Sequence, residues 1–387
     1  VFRANAAFHA DETAPATSNH IVHLVPSPDQ SDILTYHKAD VPEPSGPTMD
    51  LTATNIVIAT GAKPRPLPGN PFAGALIDST QALEVNEFPS SAVIIGAGAI
   101  ALEFASMWNA AGSKVTLLIR KDRVLSAWDR RAGTTLTREL KRHGVNIITR
   151  ASVTHVDTGA NLGATVHYTR EGQDGEQSVW GEIALVAIGR DPITDPAWGV
   201  TIDDHGHVAT DAYGRTDKPG VWAVGDVTAG HALAHRAFEQ GIVIAETIAG
   251  LNPKPVDEAT VPQIVFSFPE AASVGLTVEQ AQAREDLIEI KETNYPMLAN
   301  ARMLMSGTAG SLTIVSGCDA ANPDTPRVLG VHMVSQMASD IIAEAEQLVG
   351  NHVPLAGAAR LVHPHPTFSE TLGEALLKAD GRPLHTR

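Results

Sequence analysis

The segment AVIIGAGAIALEFASMWNAAGSKVTLLIR, residues 92–120, constrains the fold more than any other part of the chain. Four apolar residues run without interruption into a glycine turn, the pattern of a parallel strand covered on both faces. A helix is expected from about Ala99 to Ala111, closed near Gly112 as a C-cap. KVTLLI is the next strand. The turn, Gly96-Ala97-Gly98-Ala99-Ile100-Ala101, fits G-x-G-x-x-G/A. Gly96 permits the tight turn, Gly98 lets the backbone approach a pyrophosphate, and Ala101 keeps helix and strand close. The helix N-terminus then offers free N–H groups to phosphate. Gly96, Gly98, Ala99 and Ile100 are therefore candidate cofactor-binding residues. Taken alone the motif is weak. The strand–turn–helix–strand context favours a dinucleotide site over an incidental glycine turn.

The neighbouring pattern repeats this alternation. RRAGTTLTRELKRHG reads as an amphipathic helix, VNIITR as a strand, and the stretch around GQDGE as β-hairpins closing in the apolar strand ALVAIG, which ends at Gly189. Alternating strands and helices indicate a doubly wound nucleotide-binding domain. Upstream, NIVIATG reads as a buried strand meeting a turn at Gly61, and AKPRPLPGNP as a proline-stiffened linker. Downstream, GVWAVGD is a strand running into Gly225 and Asp226, and HALAHRAFEQGIVIAETIAG a helix ending at Gly250. Beyond Asp257, strands such as IEIKETNYP, SLTIVSGC and RVLGVHMVS alternate with the helices MASDIIAEAEQLVG and SETLGEALLKA, an α+β texture. The first fifty residues mix short β runs with Pro, Ser and Asp turns.

Composition excludes several classes. The 28 basic and 44 acidic residues give a formal charge of −16, which argues against nucleic acid as a partner. No apolar run reaches the ~18 residues of a membrane span. The N-terminus lacks the features of a signal peptide, so a cytoplasmic protein is expected. A single cysteine, Cys318, excludes an internal disulfide or a cysteine-based zinc site.

Two features select chemistry. The second strand ends at Arg120, followed by Lys121 and Arg123. An acid there would suit the ribose hydroxyls of NAD. Guanidinium instead suits a 2′-phosphate, so NADP is favoured over NAD, with a solvated basic turn as the other reading. Near the C-terminus, HPHPTFSE sets His365 five residues before Glu370. A neutral imidazole can take a proton from a thiol near neutral pH, and a carboxylate on its other nitrogen fixes the tautomer. A surface histidine pair, or a metal held by His363 and His365, are the alternatives; no metal site is expected.

In order along the chain, NIVIATGAKPRPLPG, AVIIGAGAIALEFA, KPGVWAVGDV, ALAHRAFEQG, VPQIVFSFPEAASVGLT, RVLGVHMVSQMASDIIAEA and HPHPTFSE resemble the pyridine nucleotide-disulfide oxidoreductases. HPTFSE and the tail GRPLH are most similar to the dihydrolipoamide dehydrogenase branch, while Arg120 looks more like the glutathione reductase branch. The resemblance implies an α/β fold of two nested Rossmann-like domains plus a C-terminal α+β dimerisation domain. The FAD-binding domain would comprise residues 1–88 and 197–256, the NAD(P)-binding domain 89–196, and the interface domain 257–387. It implies an FAD-dependent, NAD(P)-linked enzyme acting on a disulfide or dithiol substrate, as a homodimer. Thr60, Gly61, Asp226 and the helix start at Ala234 would serve FAD. Glu103 would lie near the nicotinamide, and Gly189 would line the same cofactor. His365 would be the catalytic acid–base residue reaching the partner's disulfide, and Glu370 would orient it.

Two parts of the family pattern, the first glycine loop for FAD and the Cys-x-x-x-x-Cys pair, do not occur in these 387 residues. The expectation is a piece of a longer parent, with an apolar face left uncovered. The alternatives are a glutathione- or mercuric-reductase-like enzyme, a cysteine-free flavoprotein reducing a quinone-type acceptor, and a non-catalytic nucleotide-binding remnant that dimerises.

Overall fold

The computed structural model describes residues 4–8, 20–26, 49–159 and 163–386. Most of the turns expected within the first fifty residues lie outside these. The chain divides into two units, residues 1–63 with 190–258 and residues 64–189 with 259–387.

In the first unit, strand Ile56–Ile58 pairs in parallel with Val221–Ala223. Strands Ala4–Phe8, His20–Pro26 and Met49–Ala53 form an antiparallel sheet. Phe8, Ile58, Trp198, Val208, Val221 and Val227 share one core, with the Phe8 and Trp198 rings stacked 6.1 Å apart. The NIVIATG strand was expected to be buried, yet Val57 is 45% exposed. Among the described residues Val221–Ala223 is its one sheet partner. Helix Ala234–Ile248 likewise buries Val243 and Ile244 but turns Phe238 and Ile242 outward, 71% and 51% exposed.

The second unit is built on a parallel sheet. Its strands lie in the order Leu76–Ile77, Ile183–Val186, Ser91–Ile95, Lys114–Leu118, Asn146–Ile148. Helices Ala99–Ala110 and Arg130–Arg142 bury Leu102, Trp108, Leu136 and Leu140 with Ile94 and Leu117 in one core. The other face of the sheet meets an antiparallel layer, Ala151–Asp157, Ala164–Arg170 and Gln177–Gly181, through Val93, Ile95, Val166 and Tyr168. Both faces are covered, as the unbroken apolar runs required.

Residues 64–88 differ from the expected partition. Leu76–Ile77 hydrogen-bonds to Ile183–Val186 and so extends the dinucleotide-binding sheet. Residues 190–196 go the other way, with Ile193 N donating to Gly61 O at 2.9 Å. The compact units divide near residues 63 and 189, where the resemblance implies 88 and 196.

The C-terminal sheet is antiparallel, in the order Gln263–Val265, Glu270–Gly275, Asn322–Ser335, Ser311–Asp319, Leu287–Pro296. Helices Ala338–Gly350 and Glu370–Ala379 cover it. Its Val265, Ala271 and Val334 join the core under helix Ala99–Ala110, so the two layers share buried apolar surface. Four short helices had no periodicity to announce them. Two of these, Ser79–Leu83 and Val278–Gln282, carry capping boxes, Asp78 with Gln81 and Thr277 with Gln280. The others are Ala301–Ser306 and Leu355–Ala358.

Gly275 and Gly330 face each other across the central ladder. A Cβ on Gly330 would stand 2.1 Å from Leu276 O, and one on Gly275, whose φ is +79°, 2.3 Å from Leu329 O. Alanine normally gains about 0.5–1 kcal/mol over glycine within a strand. Here the backbone clash outweighs that gain. Gly330→Ala is expected to destabilise the fold by roughly 2 kcal/mol or more, read as a lower denaturation midpoint.

Candidate active site and cofactor cradles

Gly96 has φ +144°, and a Cβ there would lie 2.1 Å from Ala187 O. Only glycine allows this approach. Gly98 is the N-cap of helix Ala99–Ala110, and no side chain caps it. A Cβ on Gly98 would meet no atom within 4 Å. Space is open beside Gly98, and no side chain caps the leading N–H groups of the helix, as a pyrophosphate requires. Gly189, at φ +133°, follows strand Ile183–Val186 and accepts from Arg65 N at 3.1 Å.

The basic cluster separates into two kinds of side chain. Arg120 and Lys121 are exposed just beyond strand Lys114–Leu118. Arg123 instead donates to Ser126 O at 3.1 Å and pairs with Asp122 at 3.4 Å. Its side chain lies against Gly133, where a Cβ would come within 3.2 Å of it. Arg123 holds a loop, which leaves Arg120 and Lys121 as the cations facing outward. Glu103 sits one turn into the helix, half-buried, and accepts from Phe266 N at 3.0 Å.

In the first unit, Thr60 donates through Oγ1 to Ile193 O at 2.6 Å, and Gly61 turns the chain at φ +70°. Asp226 is half-buried in the single turn Gly225–Val227. Helix Ala234–Ile248 starts from extended Leu233 without a side-chain cap, so the positive end of its dipole lies at Ala234. Sequence reasoning passed over Arg236. Its buried guanidinium donates to Glu258 at 2.6 Å and to Ala229 O, and binds Gln240, which accepts from Gly225 N at 3.0 Å. One arginine thus ties the Gly225 turn to the helix start. Gly230 makes room for it: a Cβ there would fall 2.3 Å from Nη2.

His365 and Glu370 come together as the motif suggested. His365 Nδ1 donates to Glu370 Oε2 at 2.9 Å. The imidazole is 73% exposed and the carboxylate 15%. Glu370 opens helix Glu370–Ala379, where the macrodipole favours its negative charge. Its second oxygen accepts from Asn300 Nδ2 at 3.0 Å, and the same amide donates to Thr367 O at 3.0 Å. The buried Asn300 uses its Oδ1 to accept Met303 N, capping helix Ala301–Ser306. That bond fixes which end of the amide meets the carboxylate. A polar residue distant in sequence gives no periodic signal, so Asn300 escaped the sequence reading.

Two further histidines, each held by a carboxylate, line the same cavity of about 430 Å³. His363 Nε2 lies 2.9 Å from Glu344 Oε1, and His385 pairs with Glu374. The hydrogen bond to Glu344 raises the His363 pKa above the ordinary histidine value, against partial burial, which lowers it. Cys318 is fully buried; burial and then Glu289 push its thiol up. It is not a reactive thiolate.

With this geometry in place, the likeness to known proteins is specific. Residues 19–241 match the pyridine nucleotide-disulphide oxidoreductase model, and residues 261–376 match that family's dimerisation domain. The chain belongs to the pyridine nucleotide-disulphide oxidoreductase family. It is 37% identical to dihydrolipoyl dehydrogenase of Cupriavidus necator over 341 residues, covering 87% of this chain and 70% of that protein. It is also 37% identical to dihydrolipoyl dehydrogenase 3 of Pseudomonas aeruginosa, over 86% of this chain and 71% of that one. Among solved structures it resembles LpdA of Mycobacterium tuberculosis, with a TM-score of 0.80, 25% identity, and coverage of 96% and 76%. The flavoprotein disulfide reductase RclA of Escherichia coli superposes with a TM-score of 0.78 at 25% identity, covering 96% and 77%. No helix among the described residues is long and apolar enough to cross a membrane.

A histidine whose folded pKa exceeds its unfolded value of about 6.5 stabilises the fold in acid. That contribution fades as pH rises through the folded value. Glu344→Gln is accordingly expected to cost more stability at about pH 5.5 than at about pH 9, measured by denaturant unfolding at both. An equal loss at the two values would remove the His363–Glu344 linkage.

Proposed function

We propose that the chain works within an FAD-dependent, NAD(P)-linked oxidoreductase acting on a disulfide or dithiol, as a homodimer of the dihydrolipoamide dehydrogenase-like kind. The observation that carries this reading is an exposed imidazole locked to a shielded carboxylate, His365 on Glu370. When bound, FAD and the nicotinamide supply the electron and hydride chemistry. Uncapped helix starts at Ala99 and Ala234 and the glycine turns at Gly96 and Gly61 fit the anionic parts of these groups. Thr60 and Asp226 would hold the flavin nucleotide, and Glu103 and Gly189 would line the nicotinamide side.

The protein's own contribution is proton movement. With Nδ1–H donated to Glu370, His365 keeps its lone pair on Nε2, facing solvent. That nitrogen accepts a thiol proton and later returns it, while Glu370 stabilises the imidazolium. Buried Cys318 is not the thiol concerned, so the sulfur pair is presented to His365 from outside these 387 residues. Exposed Leu361 and Val362, the latter 95%, stand just before the His363-Pro364-His365 run and suit cover by a second subunit. The single thiol fits a reducing, cytoplasmic setting.

The direct test uses purified protein. Bound flavin bleached by NAD(P)H supports the proposal; a colourless protein that binds no flavin when FAD is supplied overturns it. In a preparation that also supplies the sulfur pair, His365→Gln should lower dithiol–disulfide turnover roughly 100-fold or more while leaving flavin reduction by NAD(P)H unchanged. Equal loss in both half-reactions would mean that His365 is structural.

For the nicotinamide, the outward-facing Arg120 favours NADP. Arg120→Glu is expected to move the NADPH/NADH preference toward NADH by at least about tenfold, compared as kcat/KM with each cofactor. Arg123 is a weaker candidate for the phosphate because its guanidinium is already bound to its own loop.

A further inference from the structure

The antiparallel layer on the back of the dinucleotide-binding sheet carries a cluster that the reaction above does not use. His155 on strand Ala151–Asp157 and His167 on strand Ala164–Arg170 are direct cross-strand partners. Their rings stack 4.1 Å apart at 7°. The strand register shifts between Val153 and His155, so Thr154 and His155 are both exposed. Asp157, two residues on, shares the exposed face with His155.

The geometry points to a binding site for one divalent first-row transition ion of the zinc class, ligated by His155 Nε2, His167 Nε2 and Asp157. Asp157 Oδ2 lies 3.1 Å from His167 Nε2 and 3.8 Å from His155 Nε2. Ligand atoms of the three residues all fall within 4.8 Å of one another. Donors bound tetrahedrally at about 2.0–2.2 Å lie roughly 3.3–3.5 Å apart, close to the spacing here, and binding requires the stacked rings to rotate apart until their Nε2 lone pairs converge on the ion. Imidazole and carboxylate donors suit zinc, nickel and copper rather than calcium or magnesium. Three protein ligands leave the fourth position to water.

The far edge of the ring pair supplies the second observation. Glu176 places its carboxylate 3.8 Å from His155 Nδ1 and 3.7 Å from His167 Nδ1. Thr154 Oγ1 donates to that carboxylate at 2.6 Å. A metal-bound histidine ordinarily directs its other N–H at a carboxylate, which fixes the tautomer and strengthens the ligand. Here one carboxylate faces the distal nitrogens of both rings. The side chains are 47%, 23% and 66% exposed for His155, His167 and Asp157, so an ion reaches them directly. Residue spacing carries no metal signal here because the ligands converge through strand pairing, with no short motif.

Zinc chloride titrated into the full chain with its cofactors, monitored by calorimetry against a competing chelator, tests this. The wild-type protein should take up one tight equivalent and gain thermal stability with rising zinc. H155Q/H167Q should lose that equivalent and the stabilisation while retaining nicotinamide binding. Glu176→Gln should weaken uptake by about 10–100-fold. Identical stoichiometry and affinity in wild type and H155Q/H167Q would overturn the site. So would loss of the equivalent in His365→Gln instead, or the lack of any saturable uptake in the wild type.

Discussion

The passage of Gly96 beneath the Ala187 carbonyl governs much of the larger unit. A methyl group there would lie 2.1 Å from the oxygen, and φ is +144°. Because the contact is made by glycine, helix Ala99–Ala110 sits low on the parallel sheet, with Ala101, Leu102 and Ala105 buried beneath it. From that position Glu103 and Ser106 reach the backbone N–H groups of Phe266 and Phe268, at 3.0 and 3.1 Å. Those residues join the first two strands of the C-terminal sheet. A clearance of one methyl group therefore propagates into the seating of a second layer.

The His365–Glu370 pair follows a different rule. A hydrogen bond with one side chain 73% exposed contributes only about 1 kcal/mol to stability. Its value lies in direction: Glu370 dictates which imidazole nitrogen faces outward. The bonds from Asn300 to Glu370 and Thr367 are better shielded, and a hydrogen bond to a charged group is worth about 1.5–3 kcal/mol. Stability resides in the support, and direction in the exposed ring it supports.

Legibility in the sequence followed the range of each interaction. The glycine turn, its flanking strands and the helices near 130–142, 234–248 and 338–350 are encoded by local periodicity and caps, and they fold where the pattern places them. HPHPTFSE likewise brings His365 to Glu370 over five residues. Domain borders were less readable, since Leu76–Ile77 joins its sheet by pairing with a strand more than a hundred residues later. Asn300, Arg236 and the His155–His167 stack depend on such distant pairings, and no spacing rule announces them. Arg123 shows the converse: its charge was visible, but its commitment to Ser126 and Asp122 was not.

Asn300 is a shared hinge pin. Its carbonyl oxygen closes the first turn of helix Ala301–Ser306, and its amide closes the loop that carries His365. Fraying of that six-residue helix and misalignment of the imidazole are consequently a single event. Leu304 and Met305 on the same helix are 67% and 72% exposed. Any surface that settles on those two side chains holds the helix wound, and in doing so aims an imidazole that it never touches.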